Sequence, residues 1–396
     1  MKQLSTRSRL FTESRIREMT ILSNKYSAIN LSQGFPEFDP PAELKKALEA
    51  QAMTAHHQYV PNWGIDDLRS AIAEKQSKSF GREIIPDEEV LVTVGSTEGM
   101  ISTMMSVLDP GDKVIIFSPY YNSYALNAAI VGAEPIFVSL KGRDFKFDET
   151  ELEDAFKQGA KALILCNPSN PCGKVYTRTE LEVIARLAKQ YDAYVFTDEV
   201  YEHIIYEGSR HISLASLPGM FERTVTCTSL SKTYSVTGWR LGYVTAPFEI
   251  LEQIRKFHDV FTVCAPTPLQ YAAVNALRFG DDYYAELQRV YTAKKERFTK
   301  ALDALDIAHN EPQGTYFVLT DISKYGYKSD LEFAKLLVKD YGIAGVPGFC
   351  FFAENENRYI RFHFAKNDDT LDEVARRFER LENDRIHGHI PSEQKG

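Results

Sequence analysis

Residues 224–247 read TVTCTSLSKTYSVTGWRLGYVTAP. The stretch opens on a short β-like run, Thr224 to Cys227, and leaves by a second apolar run, Leu241 to Ala246. Between them lie a loop rich in Ser and Thr and a Gly-Trp-Arg turn. Lys232 sits in that loop with hydroxyls at Ser229, Ser231 and Thr233, and Arg240 follows eight residues later. A lone lysine between two strands is ordinarily solvated charge. Here the hydroxyls, the ammonium and the guanidinium suit a site that grips a phosphate and presents an amine beside it. Amines of this kind form Schiff bases with carbonyl groups.

Upstream of this stretch the chain alternates strand-like and helix-like segments. EVLVTVG (89–95), KVIIFSP (113–119), EPIFVSL (134–140), ALILCNP (162–168) and the run ending in Asp198 read as strands. Helical spacing falls between them, including 148–157 and 177–190. Such alternation predicts a mostly parallel sheet buried on both faces. Gly95-Ser96-Thr97-Glu98-Gly99 turns from a strand into a helix, leaving free N–H groups at the positive end of the helix dipole. Such a turn suits a phosphate, although Ser or Thr there is also an ordinary cap. Tyr120, Tyr121 and Tyr124 lie just past a strand, as core packing or as a plate for a flat ring. Asn167-Pro168-Ser169-Asn170-Pro171-Cys172-Gly173 is an extended turn that presents amide side chains. A carboxylate on a buried strand, as at Asp198, is costly unless paired.

The ends of the chain read differently. Helical spacing runs from Thr12 to Lys25, INLSQGFPEFDPP (29–41) is an irregular turn segment, and 42–55 is helical. His56 and His57 are adjacent, point apart on any regular element, and have no ligand cluster around them, which argues against a metal there. Helices are expected over 249–263, 266–278 and 281–305. GTYFVLTDI (314–322), a helix at 329–340, IAGVPG (343–348), YIRFHFA (359–365) and a last helix at 369–382 form an α+β unit. Arg361 inside an apolar strand either snorkels from an edge or grips an anion.

The 396 residues are 44% hydrophobic and 26% charged, with a formal net charge of −9 and a pI near 5.6. This is a globular composition large enough for two domains. Its acidity argues against a nucleic-acid or anionic-membrane partner. Five scattered cysteines suggest neither a disulfide framework nor a zinc site. The first residues lack the apolar core of a signal peptide, and no run is long enough to span a membrane. A cytoplasmic protein is expected.

SLSKTYSVTGWRLG (229–242) resembles the lysine motif of the class I/II aminotransferases, pyridoxal-phosphate enzymes of the aspartate aminotransferase fold. The resemblance implies fold type I: a three-layer α/β/α large domain (42–285) and a smaller α+β domain (1–41 with 286–396), paired as a homodimer. It implies that pyridoxal phosphate is attached to Lys232. Ser96, Thr97, Ser229 and Arg240 would serve the phosphate, with Tyr59 reaching the phosphate of the other subunit. Tyr121 would stack on the ring, Asp198 would meet the pyridine nitrogen, and Asn170 and Tyr201 would bond the phenolic oxygen. Gly34, Asn170 and Arg361 would contact substrate, Arg361 through its α-carboxylate. Cys172 replaces the threonine typical of the family, which suggests an oxidisable thiol near the site.

SQGFPEFDPP, DEVYEH, PQGTYF and YIRFHFAK resemble the kynurenine/glutamine/methionine branch. That branch implies transfer of an amino group from a methionine-, glutamine- or aromatic-type L-amino acid to a 2-oxo acid by a ping-pong mechanism. A C–S lyase or a cyclase or synthase on the same scaffold would share every residue named. A transcriptional regulator would need a DNA-binding region, and a relative without cofactor would not keep Asn170, Asp198, Tyr201, Lys232 and Arg240 together.

Overall fold

A computed structural model describes residues 3, 5, 14–54 and 56–390. The strands are β1 (Ile29–Asn30), β2 (Val90–Thr93), β3 (Lys113–Ser118), β4 (Glu134–Ser139), β5 (Ala160–Cys166), β6 (Tyr194–Asp198), β7 (Thr224–Ser229), β8 (Gly242–Thr245), β9 (Phe317–Asp321), β10 (Ile343–Ala344), β11 (Val346–Pro347) and β12 (Tyr359–His363). Seven of them form one sheet in the order β2-β8-β7-β6-β5-β3-β4. The pairings from β4 through β3, β5 and β6 to β7 are parallel, and β8 runs antiparallel to both β7 and β2. This is the mostly parallel α/β sheet that the alternation predicts.

Both faces are covered because successive side chains on a strand point to opposite sides. Ile115, Phe117, Leu163 and Val195 pack on one face with Leu152, Leu181 and Ile184 from the helices Glu149–Lys157 and Arg178–Gln190. Val114, Ile116, Ile164 and Phe196 pack on the other with Met100, Met104, Leu251 and Ile254 from Gly95–Val107 and Phe248–Thr262. The result is three layers, helix, sheet and helix.

Beyond the long helix Asp281–Ala304, β9 and β11 flank β12 in an antiparallel three-stranded sheet. A separate pair joins β1 to β10 in parallel, Ile29 opposite Ile343 and Asn30 opposite Ala344. The N-terminal segment is thus stitched to the C-terminal third, and Met19, Leu31, Phe298, Phe317, Phe362 and Phe378 share one core.

Several boundaries differ from the sequence reading. The segment 343–348, read only as part of the α+β unit, is two short strands in two sheets. The helix expected over 266–278 ends at Ala273 and resumes as a 3-10 turn at Ala276–Arg278. The helix expected over 329–340 is α-helical only for Asp330–Leu336 and widens to π geometry at Leu337–Tyr341. The helix expected over 42–55 ends at Ala52. Thr12 and residues 391–396 lie outside the described residues. Lys232 is not in a loop but on one helical turn, Leu230–Thr233, directly after β7.

Candidate active site

The C-terminal ends of the parallel strands open into a cavity of about 630 Å³. This is where an open α/β sheet places its ligands. Gly34, Ser96, Thr97, Tyr121, Asn170, Asp198, Tyr201, Ser229, Lys232, Arg240 and Arg361 all line it. Tyr59 does not. It is 79% exposed on this chain.

One wall is an anion cradle. The helix Gly95–Val107 begins at the cavity with Ser96 and Thr97 in its first turn. Arg240 adopts a left-handed conformation (φ 53°), which turns its guanidinium back over that helix start. A Cβ on Gly95 would lie 2.5 Å from Arg240 Nη2, and a Cβ on Gly242 would lie 2.6 Å from Ser96 N. Glycine at both positions is what lets the backbone N–H groups and the guanidinium converge. Ser229 Oγ accepts from Ser231 N–H at 3.0 Å and lies 2.7 Å from Ser231 Oγ, which arrays two hydroxyls beside Lys232.

The floor holds Asp198 at the end of β6. Tyr124 donates to its Oδ2 at 2.7 Å, and Val200 N–H donates to Oδ1 at 3.4 Å. Burial pushes the carboxyl above its ordinary range, against the pull of those donors and of Lys232. The site therefore favours a cationic partner above Asp198 that would restore its charge. Tyr124 was readable in sequence only as part of the tyrosine cluster. It lies in the first turn of the helix Ser123–Val131, Tyr121 lies just before that helix, and both line the cavity.

Lys232 Nζ donates to the Gly34 carbonyl at 3.0 Å, and the Tyr316 hydroxyl donates to the same oxygen at 2.9 Å. The amine lies 5.8 Å from the ring centres of Tyr201 and Tyr316. Arg361 is 1% exposed. It donates from Nη1 to Asn170 Oδ1 at 2.8 Å and from Nη2 to the Ser32 carbonyl at 2.7 Å. Phe317 and Phe351 flank its guanidinium at 4.1 and 4.7 Å. Burial lowers Arg361 to about 10, which leaves it cationic at neutral pH.

Cys172 is buried, burial raises its thiol, and its Sγ contacts Ser169 Oγ at 3.5 Å. This corrects the expectation of an oxidisable thiol, because an enclosed, protonated thiol is a poor target for peroxide.

Behind Asp198 lies a buried ionic network that sequence reading missed. Lys75 pairs with Glu202, Ser213 donates to Glu199 at 2.9 Å, and His211 Nε2 stands 3.4 Å from Glu199. DEVYEH does place Glu199 and Glu202 three residues apart, but Lys75 is 127 residues away from Glu202.

The family profile for class I and II aminotransferases matches residues 26–378. The probable N-succinyldiaminopimelate aminotransferase of Mycobacterium tuberculosis is 36% identical over 372 residues, covering 91% of this chain and 94% of that protein. Kynurenine–oxoglutarate transaminase 1 of Mus musculus is 34% identical, covering 91% and 93%. Among solved structures, the N-succinyldiaminopimelate aminotransferase from M. tuberculosis superposes with a TM-score of 0.93 at 35% identity, covering 96% of this chain and 100% of that one. YbdL from Escherichia coli, identified with a methionine aminotransferase function, gives 0.91 at 32% identity with the same coverage. A match of this extent, on a chain that brings an amine, a buried carboxylate and an anion cradle to one cavity, assigns the protein to the class I and II aminotransferases, whose cofactor is pyridoxal phosphate.

Proposed function

We propose that this aminotransferase takes its amino group from a methionine-, glutamine- or aromatic-type L-amino acid and passes it to a 2-oxo acid by a ping-pong route. The observation that carries the reading is that Lys232, the anion cradle and Arg361 share one cavity. The cavity residues fit a phosphorylated pyridine. The space that a Cβ at Gly95 or Gly242 would fill is closed by Arg240 and by backbone N–H groups, a donor set for a dianion. Buried Asp198 suits a protonated ring nitrogen. When bound, pyridoxal phosphate supplies an electron sink for the charge left at the substrate Cα.

The chain's own residues do the rest. Ser96, Thr97, Ser229 and Arg240 hold the phosphate, and Tyr121 covers the ring. Asp198 would keep a proton on the ring nitrogen, while Asn170 and Tyr201 would orient the phenolic oxygen. Arg361 binds the α-carboxylate and Gly34 covers it. Lys232 Nζ would take the Cα proton and give it back as general base and acid. Ile16 and Phe35 give the outer cavity an apolar side and Gln33 a polar one, a mixture suited to methionine, glutamine or an aromatic ring.

The same reading includes two domains, 42–285 and 1–41 with 286–396, and a homodimer. Support for the dimer comes from Tyr59 and from Val260, which is 81% exposed, and the neighbouring exposed Phe261. Among the described residues no helix is long and apolar enough to cross a membrane.

The test is a half-reaction. The cofactor-loaded protein is mixed with one amino acid at a time and no 2-oxo acid. Release of one equivalent of 2-oxo acid per site from methionine, glutamine or an aromatic amino acid, then arrest until a 2-oxo acid is added, is the expected result. Continuous consumption with release of ammonia or thiol would replace this reading with a C–S lyase.

A further inference from the structure

The loop between β11 and β12 spans the gap between the two larger sheets. At its start, Phe349 N–H donates to Asp330 Oδ2 at 2.7 Å. In its middle, Tyr120 N–H donates to the Phe351 carbonyl at 2.8 Å. At its far end, Ala353 N–H donates to Ser118 Oγ at 3.0 Å. Ser118 and Ser139 sit directly opposite each other on β3 and β4. Their hydroxyls donate to the two oxygens of one carboxylate, Glu354. Glu354 lies at the exposed rim and does not line the cavity.

Phe351, three residues before Glu354, is fully buried against the Arg361 guanidinium. Arg361 Nε has no hydrogen-bond partner in the structure, and each Nη has one. Two single bonds leave the guanidinium plane free to tilt. The flanking rings of Phe317 and Phe351 therefore set its plane, because a guanidinium stacks face-on to aromatics. A carboxylate that accepts a fork of two N–H groups is sensitive to that plane.

We propose that Glu354 is a positioning residue for substrate: by clasping Ser118 and Ser139 it seats Phe351 on Arg361 and so sets the angle at which the guanidinium receives a carboxylate. The proposal rests on the reading of Arg361 as the carboxylate anchor. Both amino donors and 2-oxo acceptors carry that carboxylate, so loss of the clasp raises KM for both together. The cofactor, held by other residues, stays as it was.

The test uses the cofactor-loaded enzyme and 3-phenylpropanoate, a carboxylate with no amine to react, as the titrant. Glu354→Ala and Phe351→Leu are each expected to weaken its binding, and to raise KM for amino acid and 2-oxo acid, by about three- to ten-fold, the scale of one neutral hydrogen bond. For Glu354→Ala the value of kcat stays within about two-fold, the scale of a surface change. In Glu354→Ala, cofactor retention and the melting temperature are unchanged. Ser118→Ala supplies a second cut of the same clasp if Glu354→Ala folds poorly. If Arg361→Gln abolishes 3-phenylpropanoate binding and the Glu354 and Ser118 variants bind as the parent does, the proposal is overturned. A lowered melting temperature with kcat and KM both impaired would likewise make Glu354 merely structural. If Arg361→Gln itself binds as the parent does, the reading of Arg361 fails instead.

Discussion

Arg361 Nη1 donates to Asn170 Oδ1 at 2.8 Å, a buried bond that joins the three-stranded sheet to the turn after β5. In the proposed mechanism one of these residues meets the substrate and the other the cofactor, so the bond keeps the two in register. Asn170→Ala removes the acceptor and leaves a buried guanidinium nitrogen unpaired. The expected result is a fall in kcat/KM of about 10- to 100-fold, the scale of a hydrogen bond to a charged group. Steady-state kinetics with either substrate check it, and a fall below about three-fold would argue against a shared role.

Among the described residues, Lys232 is the one lysine that lines the cavity, and Lys232→Ala removes its amine. Turnover is expected to drop by about 10²- to 10⁴-fold, the contribution of a positioned acid–base group. The check is direct. Borohydride should fix pyridoxal phosphate to residue 232 in the parent, adding its mass to the peptide that contains it. An adduct on another lysine would relocate the site.

Asp198→Asn should separate stability from function. The native carboxyl is raised by burial, so the folded protein holds its proton more tightly than the unfolded chain. Stability contributed by this group therefore falls as pH rises from the unfolded carboxyl's value through that raised value. Asparagine has no such penalty and still accepts from Tyr124. Without cofactor the variant should melt at or above the parent temperature at neutral pH, while activity falls by at least about 10²-fold, as when one preorganised electrostatic group is removed. A clear loss of stability in the cofactor-free variant would contradict this.

The Lys75 network makes a pH prediction. One ammonium serves two buried carboxylates. Burial raises Glu199, with Glu202 adding repulsion, to about 8. Burial pushes Glu202 up, but Lys75, helped by His203 and His211, outweighs it and brings the carboxyl down to about 2. The Glu199 value lies above that of the unfolded chain, so the native state binds the extra proton between pH 4.5 and about 8, and stability falls as pH climbs through that window. Melting curves of Glu199→Gln, which cannot ionise, should lose that part of the slope. Lys75→Met strands a buried charge and should cost about 3–5 kcal/mol.

The layers and most of the cavity were legible because strands buried on both faces are continuous apolar runs, and because anion-binding turns need glycine and hydroxyls at set places. Strand direction was not. β8 is as apolar as its neighbours, and nothing in GYVT encodes that it runs the other way. The division of 343–348 hangs on Gly345, where a Cβ would lie 2.4 Å from Ile360 Cγ2. That close approach lets the chain leave one sheet and enter another, and no local pattern marks it. Glu354 sits in AENENR, which reads as solvated loop, because its serine partners lie 236 and 215 residues earlier. Lys75 escaped notice for the same reason. Its neighbours in sequence are ordinary helix formers, and only the fold turns it inward.

The parallel pairing of Ile29–Asn30 with Ile343–Ala344 has a mechanical meaning. Leu31 N–H continues it to the Ala344 carbonyl, and His363 N–H donates to the Leu31 carbonyl. Gly34 is thereby riveted, three residues on, to the sheet that carries Arg361. On the proposed reading, Gly34 and Arg361 would belong to one jaw and Lys232 with Arg240 to the opposing one. A substrate held by Arg361 and Lys232 would then bridge both jaws and tie the C-terminal third to the sheet that carries the lysine.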